Sequence, residues 1–190
     1  MNDNYFNILQ MNERERDLYF LRGAFQIARD FSQDENTETG AIIVSPDFSL
    51  ISIGANRRNF GDPLRYEGRG ERTKVGRPDK YAVLVHAEPD ALFGASRNGK
   101  SIMGCTIYAT WVPCEGCAKA TVNSGIKRYI THESTREWYR EAQKNSGRVD
   151  WQESTDEAVK IFKKSGVEYL CLSDKIGGVE ILFDDKQRSP

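Results

Sequence analysis

The sequence predicts an α/β domain built around a mixed sheet, and three observations lead to this fold class. Residues 13–31 repeat apolar side chains at helical spacing, which indicates an amphipathic helix. Two short apolar runs, 41–44 and 50–53, flank the turn Ser45–Phe48, which predicts an antiparallel hairpin. From residue 86 onward, helical segments alternate with apolar runs, as in layered domains that carry helices on a sheet.

The later elements are predicted from periodicity and from their end signals. We expect helices near 86–97, 114–124 and 154–166, and strands at 105–109, 127–131 and 167–172. Ser154 and Glu157 fit a capping box at the start of the last helix, and Gly166 occupies a position typical of a helix C-cap. The residues from Ile176 onward are compatible with one more strand.

Bulk properties indicate a soluble protein of one domain, residues 1–190, with polar tails at 1–12 and 184–190 and an insertion at 136–152. A formal net charge of −1 gives no basic excess, so we expect no long nucleic acid as a partner. No apolar run has the length of a bilayer span, and residues 1–16 lack the apolar core of a signal peptide. We therefore expect a cytoplasmic protein without a membrane partner.

Two short motifs carry the chemistry. His86-Ala87-Glu88 and Pro113–Cys117 match H-x-E followed by P-C-x-x-C, the signature of zinc deaminases. Zinc accepts imidazole nitrogen and thiolate sulfur, and three protein ligands leave the fourth position for water. We therefore predict Zn²⁺ as the cofactor, bound by His86, Cys114 and Cys117. Glu88 is predicted to be the catalytic residue, which takes the proton of the water and delivers it to the ring nitrogen and the leaving amine.

Two other interpretations of the cysteines stay open. A structural zinc site would use Cys105, Cys171 or His132 as its fourth ligand, but it leaves Glu88 without a role. A redox pair at the C-x-x-C motif leaves the motif histidine without a role. Because Cys105 and Cys171 lie in apolar runs, we expect buried, inert thiols, and we expect His132 to be structural or at the surface.

From about Ala41 to Leu172, the sequence resembles the deoxycytidylate (dCMP) deaminases of the cytidine deaminase superfamily. Beyond the two zinc motifs, the matching segments are 39–44, 54–56, 78–81, 104–110, 118–119 and 124–127. The resemblance implies a three-layer α/β/α cytidine-deaminase-like domain with a central mixed sheet of about five strands. It implies hydrolytic deamination of a cytosine deoxynucleotide, dCMP to dUMP plus ammonia. It further implies a homo-oligomer, since related enzymes are hexamers, with dCTP and dTTP as effectors.

The same resemblance implies a set of substrate-binding residues. Asn56 would bind the sugar hydroxyl, and the main-chain carbonyl of Thr110 would meet the exocyclic amino group. Trp111 resembles the tryptophan that walls the pyrimidine pocket in several superfamily members, with a core tryptophan as the alternative. Ala87, inside the first zinc motif, is counted with these residues.

The loop 56–80 indicates an anionic substrate without reference to any family. Its basic residues outnumber its acids by four; they are Arg57, Arg58, Arg65, Arg69, Arg72, Lys74, Arg77 and Lys80, against Asp62, Glu67, Glu71 and Asp79. Arginine has the forked donors that suit phosphate, so we predict a nucleotide monophosphate as the small-molecule partner. Arg57 and Arg58, beside Asn56, are the predicted phosphate contacts. A solvated charged loop is the alternative.

Some positions depart from the family pattern and keep other functions open. Asp90 replaces the asparagine that usually lies two residues after the motif glutamate. Thr135 lies near the place of the usual stacking tyrosine, with Trp138 or Tyr139 as substitutes. These changes leave room for a modified cytosine nucleotide or another amino-base nucleotide.

Two alternative functions belong to other classes. A tRNA adenosine deaminase would suit the zinc motif followed by Ala91-Leu92, but the balanced charge and Lys119 oppose it. A catalytically inactive, nucleotide-sensing zinc protein is the other, and the intact motif glutamate opposes it.

Overall fold

Helices alternate with strands along the chain in the computed structural model, which describes residues 3–66, 80–143 and 150–190. The helices are α1 (Asp3–Gln10), α2 (Glu13–Phe31), α3 (Lys80–Val83), α4 (Ala87–Arg97), α5 (Glu115–Asn123), α6 (Glu133–Ala142) and α7 (Gln152–Ser165). The strands are β1 (Gly40–Val44), β2 (Leu50–Ala55), β3 (Arg57–Arg58), β4 (Leu84–Val85), β5 (Thr106–Ala109), β6 (Arg128–His132), β7 (Glu168–Leu172), β8 (Ile181–Phe183) and β9 (Lys186–Arg188), and a short 3₁₀ helix spans Pro63–Tyr66. The elements expected between residues 13 and 172 are confirmed, with ends shifted by one or two residues.

The central sheet has five strands in the order β2-β1-β5-β6-β7. Strand β1 pairs antiparallel with both β2 and β5, whereas β5, β6 and β7 are parallel to one another. The N–H of Ser45 donates to the carbonyl of Ser49 at 3.0 Å, and this bond closes the turn between β1 and β2. The predicted mixed sheet and its opening hairpin are therefore confirmed.

Helices cover both faces of the sheet, because neighbouring residues of a strand point to opposite sides. On one side, Ile42 of β1 packs in a cluster with Phe25 of α2. On the other side, Ile43 packs in a second cluster with Ala91 of α4 and Phe162 of α7. The three-layer α/β/α arrangement is thus confirmed. None of the helices in the described ranges is long and apolar enough to cross a membrane.

Two glycines let helices approach the hairpin very closely. A Cβ atom at Gly40 would lie 2.4 Å from the carbonyl oxygen of Ala24 in α2. A Cβ atom at Gly54 would lie 2.2 Å from the carbonyl oxygen of Ala87 in α4. Real side chains do not tolerate such distances, so both contacts require glycine. The contact at Gly54 fixes the start of α4, which carries the first zinc motif, against strand β2.

Both ends of the chain are built into the fold, although their sequences are mostly polar. Helix α1 lies within the segment predicted to be a polar tail, and its Ile8 is buried in the core cluster of α2. Strands β8 and β9 form a second hairpin, in which Phe183 and Asp184 are buried. A few apolar side chains attach these segments to the core, and such sparse anchors leave no periodic signal in the sequence.

The predicted capping box at Ser154 is wrong. Helix α7 begins two residues earlier, at Gln152, and its N-cap residue Trp151 makes no side-chain capping bond. The hydroxyl of Ser154 instead accepts the N–H of Glu115 at 3.0 Å, and this bond ties α7 to the start of α5. The predicted C-cap is confirmed, because Gly166 adopts a left-handed conformation with φ 68°.

Candidate metal centre and active site

The three residues predicted as metal ligands lie together at the starts of two helices. His86 is the N-cap of α4, Cys114 is the N-cap of α5, and Cys117 lies in the first turn of α5. Their ligand atoms all lie within 4.8 Å of one another. The Nδ1 atom of His86 is 3.7 Å from Sγ of Cys114 and 3.4 Å from Sγ of Cys117.

These distances fit a tetrahedral zinc shell. Bond lengths of about 2.05 Å to nitrogen and about 2.3 Å to sulfur, at a tetrahedral angle, place the two ligand atoms about 3.6 Å apart. The two nitrogen–sulfur distances of 3.7 and 3.4 Å bracket that value. One imidazole with two thiols is also the donor set that zinc prefers. The residues present therefore fit the metal that the sequence predicts.

The other candidate ligands lie elsewhere. Cys105 is buried, as expected, whereas Cys171 is only half-buried, and its thiol donates to Oε2 of Glu133 at 3.1 Å. His132 is buried, and its Nε2 lies 2.8 Å from the carbonyl of Asp174. Within the described ranges, His86, Cys114 and Cys117 form the sole group with metal-ligand spacing, and none of these other residues joins it.

Hydrogen bonding between the two cysteines shifts their pKa values in opposite directions. A hydrogen bond from the Cys117 thiol lowers the pKa of Cys114 to about 4, and the imidazole of His86 acts in the same direction. Conversely, its hydrogen bond to Cys114 and its burial raise the pKa of Cys117 well above the usual thiol value. Cys114 is therefore a thiolate at neutral pH, the form in which cysteine binds metals.

Glu88 lies in the first turn of α4 and is almost fully buried. Its Oε2 atom is 3.4 Å from Sγ of Cys117, so one carboxylate oxygen faces the metal ligands. Burial is the main cause that raises its pKa above the ordinary glutamate value. A carboxyl group whose oxygen faces the metal ligands is placed to accept and release a proton there.

Tyr129 is hydrogen-bonded to the other carboxylate oxygen of Glu88. Its hydroxyl lies 3.0 Å from Oε1 of Glu88 and 2.9 Å from the main-chain carbonyl of Trp111. Burial raises the pKa of Tyr129 well above 10, so the hydroxyl remains a proton donor. The sequence interpretation missed this residue; the one available signal was a polar-tipped aromatic side chain within a central, apolar strand.

A pocket opens onto this group and holds about 850 Å³ of empty space, its open mouth included. Four aromatic residues line it besides the metal ligands, namely Trp111, Tyr139, Trp151 and Phe183. Its polar lining includes Asn56, Glu88, Thr37, Thr39, Thr155, Gln143, Asp34, Lys80 and Asp184. The mixed aromatic and polar lining is typical of a small-molecule site.

Some of the predicted substrate residues line this pocket, and others do not. Asn56 and Trp111 line it, and Oδ1 of Asn56 accepts the N–H of Ala87 at 3.1 Å. Ala87 itself is buried beside them. The hydroxyl of Thr110 is used in the sheet, where it accepts the N–H of Gly40 at 3.1 Å. The expected role of the Thr110 carbonyl therefore stays a prediction.

Arg57 and Arg58, the predicted phosphate contacts, are not brought to the pocket. Arg57 forms an ion pair with Asp90 at 2.7 Å, and Arg58 forms one with Asp62 at 3.0 Å. The buried carboxylate of Asp90 attracts Arg57 more strongly than a solvent-filled pocket would. Among the described cations, Lys80 is the one that lines the pocket, where it pairs with Asp34 at 2.8 Å.

Of the two residues expected to substitute for the stacking tyrosine, only one lines the pocket. Trp138 packs in the core against Phe183, with ring centroids 5.4 Å apart, whereas Tyr139 lines the pocket. Thr135 is buried, and its hydroxyl donates to the carbonyl of His132 at 2.9 Å. The remaining basic residues of the loop, Arg69, Arg72, Lys74 and Arg77, lie outside the described residues.

Comparison with known proteins agrees with the fold and the motifs. The deoxycytidylate deaminase of Mus musculus is 29% identical over 174 residues, which cover 90% of this chain and 88% of the relative. The Homo sapiens deoxycytidylate deaminase is 34% identical over 116 residues, 59% of this chain and 61% of the human protein.

Solved structures show the same fold at low identity. The dCMP deaminase of cyanophage S-TIM5, in complex with dCMP and dUMP, superposes with a TM-score of 0.56 at 20% identity and covers 86% of this chain and 100% of that one. A Thermotoga maritima diaminohydroxyphosphoribosylaminopyrimidine deaminase/reductase gives 0.54 at 20% identity, with 84% and 37% covered. The family model described as the cytidine and deoxycytidylate deaminase zinc-binding region matches residues 14–133, more than half of the sequence. The chain therefore belongs to the cytidine and deoxycytidylate deaminase zinc-binding family.

Proposed function

We propose that the protein is a zinc-dependent deaminase that converts dCMP and water into dUMP and ammonia. One observation carries the proposal: the donor atoms of His86, Cys114 and Cys117 have the separations of tetrahedral zinc ligands, and a carboxylate oxygen of Glu88 lies 3.4 Å from one of them. A structural zinc site does not require a buried carboxylate at that place.

The residues of the site have different roles in the reaction. His86, Cys114 and Cys117 would hold zinc, which when bound supplies a Lewis acid that makes hydroxide available near neutral pH. Glu88 accepts one proton from the attacking water and delivers it to the ring nitrogen. It then accepts the proton of the resulting hydroxyl group and delivers it to the amine, which leaves as ammonia. Tyr129 orients the carboxyl group through Oε1.

The cytosine nucleotide is proposed from the relatives and from the pocket lining. Both the mouse and the human relative are named deoxycytidylate deaminase, and the cyanophage structure contains dCMP and dUMP. In this chain, Asn56 lines the pocket with its Oδ1 occupied by Ala87, so its Nδ2 donors are available to a sugar hydroxyl. Aromatic side chains around the metal ligands suit a planar base.

The proposal also covers the oligomeric state, the effectors and the cellular location. The family resemblance supports a homo-oligomer, a hexamer in related enzymes, with dCTP and dTTP as effectors and the cytoplasm as its location. Light scattering with and without each triphosphate tests the assembly. A monomer at every working concentration contradicts this part and leaves the reaction itself untouched.

The reaction is tested by ammonia release from the zinc-loaded protein over dCMP, CMP, dCTP, deoxycytidine, 5-substituted dCMP, dAMP and dGMP. We expect the highest kcat/KM with dCMP. The variant Glu88→Gln should lose about 10²- to 10⁴-fold in kcat, because it removes the group that transfers protons. Metal analysis should show that this variant still binds zinc. Activity on none of the pyrimidine nucleotides contradicts the substrate, and an active Glu88→Gln contradicts the mechanism.

A further inference from the structure

Two aromatic residues beyond the family-matched segment reach the pocket of the metal ligands. Tyr139 and Trp151 both line it, although the family match ends at residue 133. The ring of Trp151 lies 6.1 Å from the ring of His86, centroid to centroid, at an angle of 69°. Trp151 is therefore beside the metal ligands, at the place a substrate base must approach.

Trp111, the tryptophan expected from the resemblance, is already packed by other rings. Phe183 stacks on its indole, with centroids 4.7 Å apart and planes 7° from parallel. Tyr139 meets the same indole edge-on at 5.5 Å and 77°. Trp111 is thus part of the pocket wall, and Phe183 covers one face of its indole ring.

Two hydrogen bonds hold the chain around Trp151, one at its own main-chain N–H and one at Ser154. The hydroxyl of Tyr139 accepts the main-chain N–H of Trp151 at 2.5 Å and donates to Oδ1 of Asp150 at 2.9 Å. Three residues after Trp151, the hydroxyl of Ser154 accepts the N–H of Glu115, next to the metal ligand of α5. The backbone that carries the Trp151 ring is therefore attached both to α6 and to the metal-binding loop.

We propose that Trp151 contacts the substrate base and contributes to its binding by stacking, with Tyr139 as the residue that positions it. This inference rests on the proposed function. An aromatic ring beside the metal ligands offers stacking to any base, and a ring held by two backbone anchors loses little freedom when the base binds.

Steady-state ammonia release and calorimetric binding of the product dUMP test the inference with zinc-loaded protein. Trp151→Ala should raise KM for dCMP and the Kd for dUMP about tenfold, with a smaller change in kcat, because base stacking acts on binding. Trp151→Phe should recover most of the loss. Tyr139→Phe keeps its ring and should shift KM in the same direction by a smaller factor. Tyr19→Phe, a half-exposed tyrosine that does not line the pocket, is the matched control.

The double variant Tyr139→Phe/Trp151→Ala separates positioning from direct contact. If the Tyr139 hydroxyl acts through Trp151, its removal adds nothing once the indole is gone. Full additivity contradicts the positioning role, and a Trp151→Ala variant with unchanged KM and dUMP affinity contradicts the base contact. If the wild-type protein releases no ammonia from dCMP, the proposed function fails and the inference fails with it. An active wild type with an unaffected Trp151→Ala overturns the inference alone.

Discussion

The substitution Tyr129→Phe removes one hydroxyl group. It should show how much the orientation of the Glu88 carboxylate contributes to kcat, because the rest of the site is unchanged. Tyr129 is fully buried, and its hydroxyl joins Oε1 of Glu88 at 3.0 Å to the carbonyl of Trp111 at 2.9 Å. The phenylalanine ring would fill the same space, so packing against Phe162 is kept. What changes is the hydrogen bond that fixes one oxygen of Glu88 while the other faces Cys117.

The size of the effect follows from the bond that is lost. A hydrogen bond to a charged group is worth about 1.5–3 kcal/mol, and a buried acceptor left without its donor costs a similar amount. If about 2 kcal/mol of that is expressed in the transition state, kcat falls about 30-fold, at 1.36 kcal/mol for each factor of ten. KM should change little, because Tyr129 does not line the pocket. The free energy of unfolding should fall by about 1–2 kcal/mol.

The assay is steady-state ammonia release from dCMP, with zinc content and urea unfolding measured on the same preparations. Tyr169→Phe is the matched control: this ring lies 6.1 Å from that of Tyr129, and within the described residues its hydroxyl makes no bond to Glu88. A kcat within twofold of the wild type, in a folded and zinc-loaded Tyr129→Phe, refutes the positioning role. An equal loss in both variants refutes it as well, because the effect would then be one of packing.

Four further outcomes are expected. Cys114→Ser should lose tightly bound zinc, measured by metal analysis after dialysis, because a thiolate ligand is removed; retention of stoichiometric zinc contradicts the ligand assignment. Gly54→Ala should lower the free energy of unfolding by about 3 kcal/mol, since its Cβ would meet backbone at 2.2 Å. Asp90→Asn should lower it by about 3 kcal/mol in urea unfolding, because two arginines lose their buried counter-charge. Burial lowers the pKa of His132, so the unfolded chain takes up that proton first and stability falls as the pH drops below about 7. His132→Gln should flatten this fall below about pH 7, and an unchanged slope contradicts it.

Local patterns in the sequence were sufficient for the elements and for the metal ligands. The spacing of Cys114 and Cys117 places both at the start of one helix, and the H-x-E motif places Glu88 in the first helical turn, two residues after His86. Such features depend on a few neighbouring residues. The hairpin β1–β2 and the C-cap at Gly166 are predictable for the same reason.

The pocket could not be predicted in the same way, because its lining comes from distant parts of the chain. Trp151 precedes a helix, and Phe183 belongs to a hairpin that was expected to be one further strand at most. Neither position has a local pattern that distinguishes a pocket wall from the core. The ion pair of Lys80 with Asp34 joins residues that are 46 positions apart, and only the folded chain shows which base meets which acid.

Asp90 is the departure from the family pattern that most favoured a substrate other than dCMP. Its contacts change that interpretation. Its carboxylate accepts the N–H of Ala55 at 3.2 Å, bonds Arg57 at 2.7 Å and pairs with the buried Arg65. Asn56 lies between Ala55 and Arg57, so the aspartate bonds the residues on both sides of the predicted sugar contact, the main chain of Ala55 and the side chain of Arg57. An asparagine at position 90 could not balance two guanidinium groups in so buried a place. The aspartate and its arginines therefore form one compensated unit that supports Asn56, and the exchange gives no ground for a different substrate.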